Sequence, residues 1–391
     1  MLSTIGLREP RAGYYLADHL DELPLGLGPR PSGWWGRQAQ AFGLEGPAPA
    51  ASVEALCAGE LIGGSAMGHR TVLAYDLTFA APKEASLLLA AGDGRAVALL
   101  KAHGLAVGAG LRYLEDHAAS VVVGAGDARE VARASGLALH ASTHATSRAG
   151  DPHLHTHCLV ANLGHGPDGR FRALDGRGLR AHARAADALY RAELGFQLNA
   201  RLAAGRSDVD QELRLELRGA FSSRAAELAQ WGRRTAARPG EPRSVQVQRW
   251  RAQLHHLGVD PGGDQLVANA LERPRRRVAE HQLAAALLGD DRRRGRRDGV
   301  EAWAKAAGPV PAVQVERCVD LLLGPEALGV GVDEPVLMPR RLLAPVRALE
   351  RLGARPVDPR GLEHWLRRSL AIGRERGRDG IEPPGRTRAR A

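Results

Sequence analysis

One stretch of this 391-residue chain concentrates side chains suited to holding a metal ion. Thr143 to Asn162 reads THATSRAGDPHLHTHCLVAN and contains four of the fifteen histidines. Three of these, His153, His155 and His157, alternate with Leu154 and Thr156. In a β-strand residues i, i+2 and i+4 share one face, so the three imidazoles point the same way. Ser147 to Pro152 is a turn by composition: Gly150 tolerates unusual backbone angles and Asp151-Pro152 vetoes a helix. If the turn closes a symmetric hairpin, facing residue numbers sum to about 299 and His144 lies opposite His155, with side chains about 5 Å apart at Cβ. His144 from one strand can then meet His155 and His157 from the other, and His153-Leu154-His155 offers a second arrangement with an apolar centre. A three-histidine set that leaves positions open suits a catalytic ion rather than a structural one. The plainer reading is a histidine-rich strand at the edge of a core.

The elements that must position these residues can be read on either side. Met1 to Leu7 is a short apolar strand, broken by Pro10 and Gly13 before Tyr14-Tyr15-Leu16, a tyrosine pair at a helix start. Pro24 to Gly33 is a Gly/Pro loop. Alternation over Tyr75, Leu77 and Phe79 marks a strand that Pro82 stops before a helix. Helical spacing runs from Gly94 to Ala119, Ser120 to Val123 is a β-branched strand, and Gly164 to Gly169 is a turn. A long helix is expected over Ala181 to Ala204. Val245 to Leu288 is mostly helical and basic, interrupted at Asp260 to Gly263.

The formal net charge of +10 and a pI near 10.3 favour a polyanionic partner. Arginine carries nearly all of that charge, since the only lysines are Lys83, Lys101 and Lys305. None of the three follows a glycine, so the sequence holds no GxxxxGK[ST] phosphate loop and any strand unwinding falls to a partner. Cys57, Cys158 and Cys318 are odd in number, scattered and form no CxxC, which suggests neither a thiolate zinc site nor a disulfide framework and fits a reducing compartment. No apolar run approaches the roughly 18 to 20 residues of a membrane span, and no signal-peptide core opens the chain. The expected location is cytoplasmic.

His144-Ala-Thr-Ser-Arg148 followed by Asp151-Pro152-x-Leu154-His155-Thr156-His157 resembles the metal motif of the MobF-class conjugative relaxases, the TrwC/TraI family of histidine-hydrophobe-histidine endonucleases. The resemblance implies His144, His155 and His157 as ligands of a divalent ion, with His153 outside the set. It implies Mg²⁺ or Mn²⁺ there, although three imidazoles by themselves also suit Zn²⁺. Tyr14 matches the family's nucleophile by position in the Tyr14-Tyr15 pair. Asp76-Leu-Thr-Phe79 with Pro82-Lys83 resembles the family's DLTFSAPKSxS segment, with Glu84 where serine is usual. By that match Asp76 is the acid that orients a ligand histidine or accepts the tyrosyl proton, and Lys83 contacts a phosphate or simply opens a helix. Trp34-Trp35-Gly36, Phe42 to Gly46, Arg170 to Asp175, Tyr190 with Glu193, and Phe221 to Arg224 resemble further family segments. Where many members carry a second tyrosine pair, this chain reads Asp21-Glu22-Leu23.

The expected fold is α+β: an antiparallel β-sheet with the histidine hairpin at its centre, helices packed on one face as in the relaxase palm, and a C-terminal helical extension. Residues 1–290 would form the DNA-nicking domain, 291–298 a basic linker, 299–372 a small helical region and 373–391 a disordered basic tail. The activity implied by the resemblance is transesterification on single-stranded DNA at a transfer origin, leaving a 5′-phosphotyrosyl adduct. Accessory nicking-complex proteins, a separate helicase and a secretion coupling protein would be partners. Two other readings compete with it. One is a non-catalytic DNA-binding remnant, favoured by the missing second tyrosine pair; the other is a three-histidine hydrolase that needs no tyrosine.

Overall fold

Strand alternation organises the centre of the molecule. The computed structural model describes residues 2–9, 12–16, 33–46, 48–60, 70–147, 150–202, 243–256, 258–263, 267 and 296–323. The segments Asp21 to Leu23, Phe221 to Arg224 and Arg273 to Arg277, most of the 24–33 loop, and everything after residue 323 lie outside the described residues. Five strands form one antiparallel sheet in the order β1 (Leu2–Leu7), β3 (Ala74–Ala80), β7 (Pro152–Ala161), β6 (Leu139–Thr146), β2 (Gly33–Trp35). The β6–β7 hairpin is therefore central, flanked by β3 on one side and the three-residue edge strand β2 on the other.

One face of the sheet is sealed by two long helices, α5 (Gly94–His117) and α6 (Gly176–Leu202). Leu77, Phe79, Leu154, Cys158 and Val160 point into that layer and are fully buried. Each such large apolar side chain contributes about 1.5–3 kcal/mol by leaving water. Close approach is built in at Gly110, where an added Cβ would stand 2.7 Å from the Phe79 ring. Asp93 starts α5 by accepting from the Arg95 amide at 2.9 Å. Asp175 accepts from the Arg177 amide in the same way, so α6 begins at Gly176, five residues before the periodic apolar pattern that suggested Ala181.

Among the described residues the opposite face is only partly covered. Helices α1 (Ala12–Leu16), α2 (Arg37–Ala41) and α3 (Ala50–Ala58) pack over one end of it, where Ala12, Val53 and Leu56 bury against Ala74, Leu159 and Ala161. The corner that leads from β2 into α2 needs glycine at position 36: φ is 104°, and a Cβ there would lie 2.1 Å from the Leu137 carbonyl oxygen. Glu115 locks the same corner by accepting from the amides of Arg37 and Leu137.

Two small ribbons lie outside the main sheet. β4 (Ser120–Val123) pairs with β5 (Glu130–Arg133), and β8 (Gly164–His165) pairs with β9 (Phe171–Arg172). The turn expected over Gly164 to Gly169 is thus shorter, its first two residues being strand. α4 (Lys83–Ser86) and a 3₁₀ turn over Leu87–Ala91 follow β3. Downstream, α7 (Arg243–His256) packs on that turn, while α8 (Arg296–Ala307) and α9 (Ala312–Leu323) pack on α6. Val300, Trp303, Val315 and Val319 join the hydrophobic core that includes the sheet. No helix among the described residues is long and apolar enough to cross a membrane.

Candidate active site

The hairpin register follows the symmetric pairing. Leu139 faces Val160, Ser142 faces His157, and His144 faces His155. A bulge between His144 and Thr146 then shifts the pairing to Thr146 with Pro152. Such a bulge twists the strand locally just beside the histidine pair. In the turn the Asp151 carbonyl accepts from the Ser147 amide at 3.0 Å, and Gly150 takes a positive φ of 77°.

His144, His155 and His157 meet on the partly open face. Each offers one ring nitrogen, and the three nitrogens all lie within 4.8 Å of one another. Ring centroids are separated by 5.2 Å for His144 and His155, 5.3 Å for His144 and His157, and 5.0 Å for His155 and His157. This near-equilateral arrangement of borderline nitrogen donors fits a divalent ion, and among the described residues no fourth protein ligand closes the group.

Neighbours fix two of the rings. His155 Nδ1–H donates to the His153 carbonyl at 2.9 Å, which leaves Nε2 as the lone-pair nitrogen. Burial pushes the His155 imidazole down to about 4, opposed by that backbone bond and reinforced by the three neighbouring histidines, so it is neutral at pH 7. His157 Nδ1 lies 3.0 Å from both Asp76 oxygens. Asp76 is buried on β3, and Thr78, directly opposite His157 in the register, donates to Asp76 Oδ1 at 3.0 Å. A histidine whose second nitrogen is held by a carboxylate presents the other in a fixed direction and with raised basicity. Asp76 thus lies against one ring of the triad, while the Tyr14 side chain, its other expected partner, lies outside the described residues.

The tyrosine pair lies on α1. His144 Nε2–H donates to the Tyr15 carbonyl at 2.8 Å, and the Tyr15 ring meets His157 edge-on at 5.1 Å. The N-terminal helix is thereby tied to the triad. The Tyr14 side chain is outside the described residues. His153 shares the triad's face of β7 but stays out of the group, its ring 5.0 Å from His155. Burial and the nearby Lys83 ammonium push it down to about 4.

Lys83, expected at a phosphate or a helix start, forms an ion pair with Asp151 in the hairpin turn, and burial lowers its ammonium to about 8. Glu84 is exposed on α4. Several supporting residues carried no recognisable role in the sequence. Ser86 Oγ accepts from the Leu154 amide at 3.1 Å, and Trp250 Nε1–H donates to the Gly150 carbonyl at 2.9 Å. Thr78 was findable, because it stands two residues from Asp76 on the same strand and must share its face. Trp250 was not, since nothing local announces a hydrogen bond to a backbone carbonyl a hundred residues away.

Residues 8–286 match the family model described as TrwC relaxase. Over 160 residues the chain is 35% identical to the multifunctional conjugation protein TraI of Escherichia coli strain K12, an alignment covering 39% of this chain and 9% of that protein. The chain thus spans less than a tenth of the length of that curated relative. Solved structures of the conjugative relaxase TrwC in complex with oriT DNA, in metal-bound and copper-bound forms, are 26% and 25% identical, covering 67% of this chain and 100% of theirs with a TM-score of 0.49 each. With the family model matched over more than half its length, the chain belongs to the TrwC relaxase family.

Proposed function

We propose that this protein is a conjugative relaxase that nicks one DNA strand at a transfer origin by transesterification. One observation carries the reading: a triad of imidazoles on a central hairpin, one of them held by a buried carboxylate, with the tyrosine helix bound to it through the Tyr15 carbonyl. His144, His155 and His157 hold a divalent ion, Mg²⁺ or Mn²⁺. When bound, that ion supplies positive charge to the scissile phosphate oxygens.

Tyr14 is the nucleophile. Its phenolic oxygen forms a bond to phosphorus as the bond from phosphorus to the 3′ oxygen breaks, and the phenolic proton ends on the released 3′ hydroxyl. Bond energy is kept in the phosphotyrosine, so the strand can be rejoined. Asp76 holds His157 in its productive tautomer. The excess of arginine over acidic residues favours the single-stranded substrate through phosphate contacts. Residues 1–290 form the nicking unit, α8 and α9 flank it on α6, and the protein works in the cytoplasm with accessory transfer proteins.

The Tyr15 ring against His157 favours a second assignment, in which Tyr15 attacks instead. The function is tested by incubating end-labelled single-stranded origin DNA with the protein and Mg²⁺ or Mn²⁺, then running a denaturing gel. The expected result is a released 5′-side fragment ending in a 3′ hydroxyl and a 3′-side fragment that migrates with the protein through its 5′ phosphate, neither of which forms with EDTA. Metal-dependent cutting with no protein-linked product would establish the hydrolase reading, and binding without cutting the remnant.

A further inference from the structure

Directly behind the three imidazoles, on the packed face of the same two strands, four polar side chains form a continuous chain. Thr143 and Thr156 face each other in the hairpin register, with their Oγ1 atoms 2.8 Å apart. Thr156 Oγ1 is 2.8 Å from His103 Nε2 on α5, and His103 Nδ1 is 2.9 Å from the Tyr190 hydroxyl on α6. Exposure is 2% for each threonine and 0% for His103 and Tyr190. The chain thus links two strands and two helices through a region sealed from water.

Its direction can be worked out. Burial drives the His103 imidazole down to about 3, so it is neutral and has one N–H and one lone pair. The Tyr190 hydroxyl meets His103 alone among the described residues, so its hydrogen goes to Nδ1 rather than being left unsatisfied. His103 Nε2–H then donates to Thr156, and the Thr156 hydroxyl donates to Thr143. Reversing any link strands a buried hydrogen or lone pair, which makes this a one-way chain.

The placement of the two threonines is what matters. Thr143 immediately precedes His144, and Thr156 lies between His155 and His157. Valine, leucine and phenylalanine of similar volume would fill the same space without the desolvation cost of four polar groups, so burial alone does not call for this chemistry. We infer that the Thr143–Thr156–His103–Tyr190 chain is a positioning device that sets the separation and tilt of the two hairpin strands at the step where the three imidazoles converge. This rests on the reading that those imidazoles take up a divalent ion, and it assigns no contact with DNA to any of the four residues.

The test uses the full chain with Thr156→Val, which keeps the shape and removes the hydroxyl, and Thr156→Ser, which restores it. Mn²⁺ is titrated calorimetrically into each protein well below its melting temperature, with folding checked by circular dichroism. Partners just outside a metal's own ligands shift affinity about 10- to 100-fold, and a device one step further back should act near the lower end. Thr156→Val is expected to weaken Mn²⁺ binding about tenfold and Thr156→Ser to return it to within about threefold of the parent. Tyr190→Phe, at the far end, should weaken it in the same direction by less. Unchanged Mn²⁺ affinity in folded Thr156→Val would overturn the proposal. Should the parent itself take up no Mn²⁺, the ion reading fails, and the positioning claim is decided on the metal-free protein. There, ring NMR signals of His144, His155 and His157 must move in Thr156→Val and recover in Thr156→Ser; signals that stay put overturn it.

Discussion

On β7 the odd-numbered residues His153, His155 and His157 look out from the sheet, while Leu154, Thr156 and Cys158 look into the layer under α5 and α6. The outer set includes two members of the histidine triad, their ring centroids 5.0 Å apart. The inner set anchors them, through apolar packing by Leu154 and Cys158 and a hydroxyl contact at Thr156. A single residue of register separates the two roles, because strand side chains alternate faces. The comparison teaches that the reactive face is only as well defined as the packed face behind it.

The comparison makes sharp demands on substitution. Replacing His144, His155 or His157 by alanine should reduce divalent-ion binding and nicking at least about 100-fold, and His155→Ala, which breaks neither the Tyr15 tie nor the Asp76 pair, should leave the melting temperature of the metal-free protein close to the parent's. Leu154→Ala should do the reverse. It removes a fully buried side chain and should cost about 2–5 kcal/mol of stability in denaturant unfolding, with ion affinity retained wherever the protein is still folded. If His155→Ala melted early, or Leu154→Ala lost the ion before it lost the fold, the two faces would not be separable in this way.

Smaller effects refine the division. Asp76→Asn keeps the size of the residue bonded to His157 Nδ1 but loses the carboxylate that fixes its tautomer, and should weaken ion binding about 10- to 100-fold by calorimetry. His153→Ala should be the mildest, changing ion affinity and nicking by less than about threefold, because its ring lies outside the triad. A loss at His153 equal to that at His155 would show that the group is drawn around the wrong histidines.

Much of this was legible because it is local. The turn from Ser147 to Asp151 sits midway between His144 and His155, so counting outward from it gives their pairing, and β7's alternation assigns each side chain to a face. The Tyr14-Tyr15 helix, β1 and β3 were readable from breakers and periodicity. The early start of α6 escaped because the helix is initiated by Asp175, whose capping role is independent of the apolar pattern. β5 escaped because Glu130 to Arg133 is only four residues long, with charged exposed ends and a half-buried Val131-Ala132 centre that shows no alternation. The links from Trp250 to Gly150 and from His103 to Thr156 are contacts of high sequence separation. Their existence depends on how helices land on the sheet, which no local spacing records.

The central claim is that a tyrosine on the helix tied to this triad becomes covalently joined to DNA, and peptide mass spectrometry tests it most directly. Protein incubated with Mg²⁺ and single-stranded origin DNA is digested with nuclease and protease, and the peptide spanning Tyr14 and Tyr15 is sequenced. A nucleotide adduct on Tyr14, absent in Tyr14→Phe and retained in Tyr15→Phe, is the expected result. An adduct on Tyr15 would reassign the nucleophile, and active cleavage with no adduct on either tyrosine would contradict transesterification altogether.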